Sequence, residues 1–129
     1  MIAESSPTSG PARDLVLIVD DDQAVCDALK FALELDGLSV VTCDSGAALL
    51  RHPALSRAGC LVLDYQMPGM NGFAVMNELR RRDVKLPIIL ITAPLSRDVE
   101  ERATAAGVAG VLEKPLLENV LLDKIRHIL

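Results

Sequence analysis

The chain has 129 residues, a formal net charge of −5 at pH 7 and a 50 % hydrophobic composition. That length allows one domain at roughly 100–200 residues each, and the apolar share excludes disorder throughout. The acidic balance excludes a mainly electrostatic binder of nucleic acid or anionic membrane, and no apolar run reaches the ~18 residues of a membrane span.

Residues 1–13 read as a disordered N-terminal tail, polar and rich in Pro and Gly without periodicity. Met1-Ile2-Ala3 is followed at once by Glu4, Ser5, Ser6 and Pro7, so no signal peptide is expected, and the Met1 start is expected to be a natural N-terminus. Residues 14–129 read as the folded domain. Its aromatics are only Phe31, Tyr65 and Phe73, so the core must be aliphatic. Cys26, Cys43 and Cys60 form no CxxC pair and read as buried small hydrophobes in a cytoplasmic protein.

Leu15–Val19 is an unbroken apolar run ending in Asp20-Asp21-Asp22, and such a run suits a strand buried on both faces. Asp22 can cap a helix from Gln23 to about Asp36, with Gly37 as its stop. A second strand covers Leu38–Cys43, at the expected edge of the sheet, and a short helix follows Asp44-Ser45. A third strand, Cys60–Leu63, leads to Asp64. Asn71 can cap the next helix, which closes on Arg80-Arg81-Arg82, a solvated end that suits the helix dipole. A fourth strand, Ile88–Ile91, precedes Thr92. Helix four runs from about Arg97 to Ala106, the fifth strand covers Gly110–Leu112, and Pro115 opens a last helix.

Five β-α repeats imply a parallel sheet with helices on both faces. Function in such sheets lies at the carboxyl ends of the strands. Those ends carry Asp20-Asp21-Asp22, Cys43-Asp44, Asp64, Thr92 and Glu113-Lys114-Pro115. Clustered carboxylates resist joint ionisation unless a cation sits among them. Oxygen donors without His or Cys select Mg²⁺, with Mn²⁺ a possible substitute. Carboxylates, a metal, a lysine and a hydroxyl on one rim form a phosphoryl-transfer set, with an Asp as nucleophile.

The segments Ile18-Val19-Asp20-Asp21, Leu63-Asp64-Tyr65-Gln66-Met67-Pro68-Gly69-Met70-Asn71-Gly72, Ile91-Thr92-Ala93 and Glu113-Lys114-Pro115 together resemble the receiver domain of a two-component response regulator. The resemblance runs from about Leu15 to Leu129. It implies an α/β, doubly wound, flavodoxin-like fold: a five-stranded parallel sheet of order 2-1-3-4-5 with five helices. It implies that Asp64 is the phosphoacceptor, and that Asp20, Asp21, Asp64 and the backbone carbonyl of Gln66 bind Mg²⁺. Thr92 and Lys114 are then the groups that meet the phosphoryl oxygens, and Asp22 is left as the helix cap.

The implied partner is a sensor histidine kinase or phosphotransfer protein, and the domain controls an output rather than turning over an external substrate as an enzyme. No nucleic acid or membrane contact by this domain is implied. A homodimer through helix 4, strand 5 and helix 5 is expected, with Leu117, Leu121, Ile125 and Ile128 facing the sheet and Leu122 and Leu129 on another face. Val111 stands where the family usually has an aromatic switch residue. Pro94, two residues after Thr92, cannot position a hydrolytic water, which leaves Gln66 as the nearby polar side chain. His52 and His127 read as surface residues.

Two other readings fit less well. A haloacid-dehalogenase-like phosphatase would use Asp20-Asp21-Asp22 but has Ala24 where Thr is usual, and it leaves Asp64 unexplained. A flavodoxin-like cofactor binder needs a Ser/Thr/Gly phosphate loop, and three acidic residues stand in its place.

Overall fold

The computed structural model describes residues 12–129, so the expected tail lies outside the described residues except Ala12 and Arg13, which open the first strand. The order is β1 (Ala12–Val19), α1 (Gln23–Leu35), β2 (Ser39–Cys43), α2 (Gly46–Leu50), β3 (Ala58–Asp64), α3 (Gly72–Arg81), β4 (Ile88–Thr92), α4 (Arg97–Ala106), β5 (Gly110–Glu113) and α5 (Glu118–Ile128). The five strands form one parallel sheet in the order β2-β1-β3-β4-β5. This is the order and helix count expected from the sequence.

Side chains alternate across a strand, so each strand feeds two cores. Leu17, Val19, Leu61, Leu63 and Leu90 face α2, α3 and α4. Val16, Ile18, Val62, Ile89 and Ile91 face α1 and α5. Burial on both faces explains why the runs do not alternate in polarity.

The helix starts are local chemistry. Asp22 accepts from the amides of Ala24 and Val25, Ser45 from Ala48, Asn71 from Ala74 and Ser96 from Val99. These bonds satisfy amides that have no partner within the helix. Gly107, at φ +81°, closes α4 in the left-handed conformation that glycine adopts freely.

Three readings need correction. The chain between α2 and β3 contains a 3₁₀ turn, Pro53–Arg57, capped by His52, whose Nδ1 accepts from the Ala54 amide at 3.0 Å; His52 is half-buried rather than a free surface residue. The arginine triplet is exposed at the end of α3, as expected, and two of its members also make bonds to neighbouring helices. Arg80 donates to the Ala106 carbonyl at 3.3 Å and Arg82 to the Leu50 carbonyl at 2.8 Å, tying the end of α3 to both flanking helices.

The last helix begins at Glu118, not Pro115. Residues 114–117 carry the chain over the sheet edge, and Leu116 packs against the α1/α5 core on the way. The α5 faces also differ from expectation. Leu121 and Ile125 are fully buried, but Leu117, at the extended N-cap, is 65 % exposed. Leu122 and Leu129 pack against the same core as Ile128, because α5 seats a broad apolar arc beside α1. They therefore do not supply the separate face on which pairing was expected.

Gly72 links this packing to the rim. A Cβ there would lie 2.9 Å from Leu90 Cδ1 and 3.1 Å from Tyr65 Cα, and the latter is backbone that cannot rotate away. Gly72→Ala is expected to cost about 1–3 kcal/mol in urea unfolding, as overpacking does. An unchanged midpoint would show that the start of α3 shifts freely.

Candidate functional site

Pairing of Val19 with Leu63 across β1 and β3 makes the next residues, Asp20 and Asp64, neighbours. Both are buried. Asp20 has both carboxylate oxygens engaged: Oδ1 accepts from the Asp22 amide at 2.9 Å, and Oδ2 lies 2.9 Å from Lys114 Nζ. Asp64 is held more loosely, with Oδ1 accepting from the Gln66 amide at 3.3 Å and Oδ2 3.4 Å from the same ammonium. Asp21 is exposed, yet one of its oxygens lies within 4.8 Å of oxygens from both other carboxylates. Asp22 is occupied as the α1 cap.

Thr92 ends β4 and is fully buried. Its backbone carbonyl accepts from the Lys114 amide at 2.9 Å, which fixes the lysine beside the rim. Its hydroxyl faces the Pro94 carbonyl at 3.5 Å, the outer limit of a hydrogen bond. Gln66 is exposed beside the same rim. The structure thus brings together Asp20, Asp21 and Asp64 with Lys114 pairing the two buried carboxylates, and sets Thr92 and Gln66 alongside.

Two contributions are absent from the sequence reading. Cys26, six residues on from Asp20, donates its thiol to the Asp20 carbonyl at 3.3 Å, and burial followed by the Asp20 charge pushes that thiol up to about 11. It is thus a neutral thiol rather than a nucleophile. Tyr65 packs edge-on against Phe73 at 5.2 Å, and the Arg102 guanidinium lies 4.3 Å from the Phe73 ring centre, linking the residue after Asp64 to α4. Side-chain polarity alone flags neither residue.

Charge at the rim is unevenly balanced. Burial raises the Asp64 carboxyl above its usual range, the Asp20 charge raises it further, and Lys114 with the Gln66 amide offsets only part. Burial pulls Lys114 down, but the bonds and charges of Asp20 and Asp64 outweigh it and leave the ammonium raised. Three carboxylates of this kind, with oxygen donors close together, fit a hard divalent cation.

Residues 16–126 match the response regulator receiver domain family. The chain belongs to that family. The receiver domain is 36 % identical over 118 residues to the C4-dicarboxylate transport transcriptional regulatory protein DctD of Pseudomonas aeruginosa, covering 92 % of this chain and 26 % of DctD. It is 34 % identical over 111 residues to the transcriptional regulatory protein FixJ of Azorhizobium caulinodans, covering 86 % of this chain and 53 % of FixJ. The chain thus spans about half or less of these relatives. The structure of the chemotaxis protein CheY4 of Vibrio cholerae superposes with a TM-score of 0.82 at 27 % identity, covering 89 % of this chain and 98 % of that one. Receiver domains are phosphoacceptor signalling domains, and this one is built on the same sheet. No helix among the described residues is long and apolar enough to cross a membrane.

The raised Asp64 carboxyl has a consequence for stability. The folded state holds that proton more tightly than the unfolded chain, so the ionised group works against folding once the pH exceeds the ordinary carboxylate range. Without divalent metal, Asp64→Asn is therefore expected to raise the thermal midpoint at pH 7, and the gain should shrink as the pH falls towards ~4. A midpoint lowered at pH 7 would contradict the charge balance described.

Proposed function

We propose that this receiver domain takes a phosphoryl group onto Asp64 from the phosphohistidine of a sensor histidine kinase or phosphotransfer protein, in a Mg²⁺-dependent reaction, and switches conformation to control an output or partner. The observation that carries this reading is the unequal engagement of the two buried carboxylates. A carboxylate oxygen held less closely by hydrogen-bond and charge partners is freer to attack. Both Asp20 oxygens are held at 2.9 Å, whereas those of Asp64 have partners at 3.3 and 3.4 Å.

In the transfer, an Asp64 oxygen forms a bond to phosphorus as the bond from phosphorus to the donor imidazole nitrogen breaks. The electron pair leaves with the imidazole. Asp20, Asp21, Asp64 and the Gln66 carbonyl would hold Mg²⁺ (or Mn²⁺), which when bound neutralises charge on the transferring group. Lys114 already lies beside Asp64 and turns its ammonium to the phosphoryl oxygens. The Thr92 hydroxyl leaves the Pro94 carbonyl and donates to one of them.

The acyl phosphate places roughly two negative charges where one stood, so Lys114 and Thr92 gain a partner that they lack at rest. That differential contact is what can shift a two-state equilibrium. The product is the modified domain itself, so the role is signalling rather than multiple turnover of an outside substrate. The same reading places the domain in the cytoplasm, where its three buried thiols stay reduced.

With Mg²⁺ and acetyl phosphate, intact-mass measurement should show one phosphoryl group per chain. Chelating the metal, or Asp64→Asn, should remove it. Full labelling of Asp64→Asn would overturn the assignment.

A further inference from the structure

The segment joining β4 to α4 is gripped at one peptide unit. The Pro94 carbonyl faces Thr92 Oγ1 at 3.5 Å, and the Leu95 amide donates to Glu113 Oε2 at 2.9 Å. That carbonyl and that amide belong to the same peptide plane. One hold comes from the phosphoryl site and the other from β5. The arrangement follows from the register, since Thr92 and Glu113 are paired across β4 and β5. Glu113 also lies two residues after Val111, on the strand face that turns towards α4.

The two holds are unequal. The Thr92 contact is at the limit of a hydrogen bond, whereas the Glu113 bond has an ordinary hydrogen-bond length. The Thr92 hydroxyl has one proton, so it can serve the Pro94 carbonyl or a phosphoryl oxygen, not both. Once it leaves, the Glu113 bond still resists displacement of the Pro94–Leu95 peptide, and a displacement of that peptide breaks it. Helix α4 follows directly, and its buried residues are only Val99 and Ala103. A helix seated on two small side chains is readily moved.

We propose that Glu113 is a positioning residue for the phosphoryl response: its carboxylate holds the Pro94–Leu95 peptide, and through it the Thr92 hydroxyl, in the resting arrangement. It thereby opposes the rearrangement that a phosphoryl group on Asp64 drives. This rests on the reading of Asp64 as acceptor and Thr92 as donor. A contact made only at rest lowers the population of the responding state, and removing it raises the apparent affinity for whatever stabilises that state.

The test uses Glu113→Ala, which removes the acceptor, and Glu113→Gln, which keeps a carbonyl oxygen at its place. In the resting protein, amide hydrogen exchange at Leu95 should quicken about fivefold or more in the Ala variant, the scale of one net hydrogen bond, and return towards wild type in the Gln variant. Exchange at Leu63 in β3 should stay unchanged, which separates a local release from general loosening. With Mg²⁺, beryllofluoride as a phosphoryl mimic should bind the Ala variant several-fold more tightly than wild type, with Gln in between. Unchanged Leu95 exchange, or beryllofluoride affinity equal to that of wild type, overturns the inference while leaving the acceptor reading intact. A wild-type domain that binds no beryllofluoride overturns the acceptor reading and the inference with it.

Discussion

Lys114 lies between two buried carboxylates, 2.9 Å from Asp20 and 3.4 Å from Asp64, and the rim of the sheet is organised around that bridge. Parallel pairing of β1 with β3 forces the two aspartates together, and burial makes their mutual repulsion expensive. One ammonium offsets only part of it, so the Asp64 carboxyl stays raised. The lysine can reach both because β5 is stitched to β4 through the bond from the Lys114 amide to the Thr92 carbonyl. Three strand ends and one loop residue therefore depend on each other. A site with excess negative charge favours a cation, and a cation favours a phosphoryl group.

Much of this was legible in the sequence because its signals are local. An unbroken run such as Leu15–Val19 marks a doubly buried strand, and a polar residue such as Asp22 or Asn71 ahead of an apolar period marks a helix start. Alternation of the two fixes the rim, so Asp20, Asp64, Thr92 and Lys114 could be placed together before any distance was known. Even the triple aspartate resolves locally, since Asp22 is spent on the amides of Ala24 and Val25.

What stayed hidden depends on distant packing. Pro115 carries a helix-start signal, but Leu116 is drawn into the core, and the helix waits until Glu118. Leu122 and Leu129 look like a second face on a helical wheel, yet both pack, half-buried, against the core between the sheet and α1/α5. The bond from Glu113 to Leu95 joins residues 18 apart in sequence, and no periodicity reports such a link. Val111 is half-buried against the α4-side core, and the short loop after Thr92 leads directly into α4. The proposed hold on the β4–α4 segment thus rests on few, non-local contacts, while the acidic rim lies where the strands dictate it.

The central claim is that charge and geometry single out Asp64 from its two acidic neighbours as the group that accepts phosphorus. Reduction of the phosphorylated domain with borohydride converts an aspartyl phosphate to homoserine, and peptide mass mapping then locates the converted residue among Asp20, Asp21 and Asp64. The expected result is homoserine at position 64 alone. Homoserine at position 20 or 21 in the wild-type domain would contradict the claim.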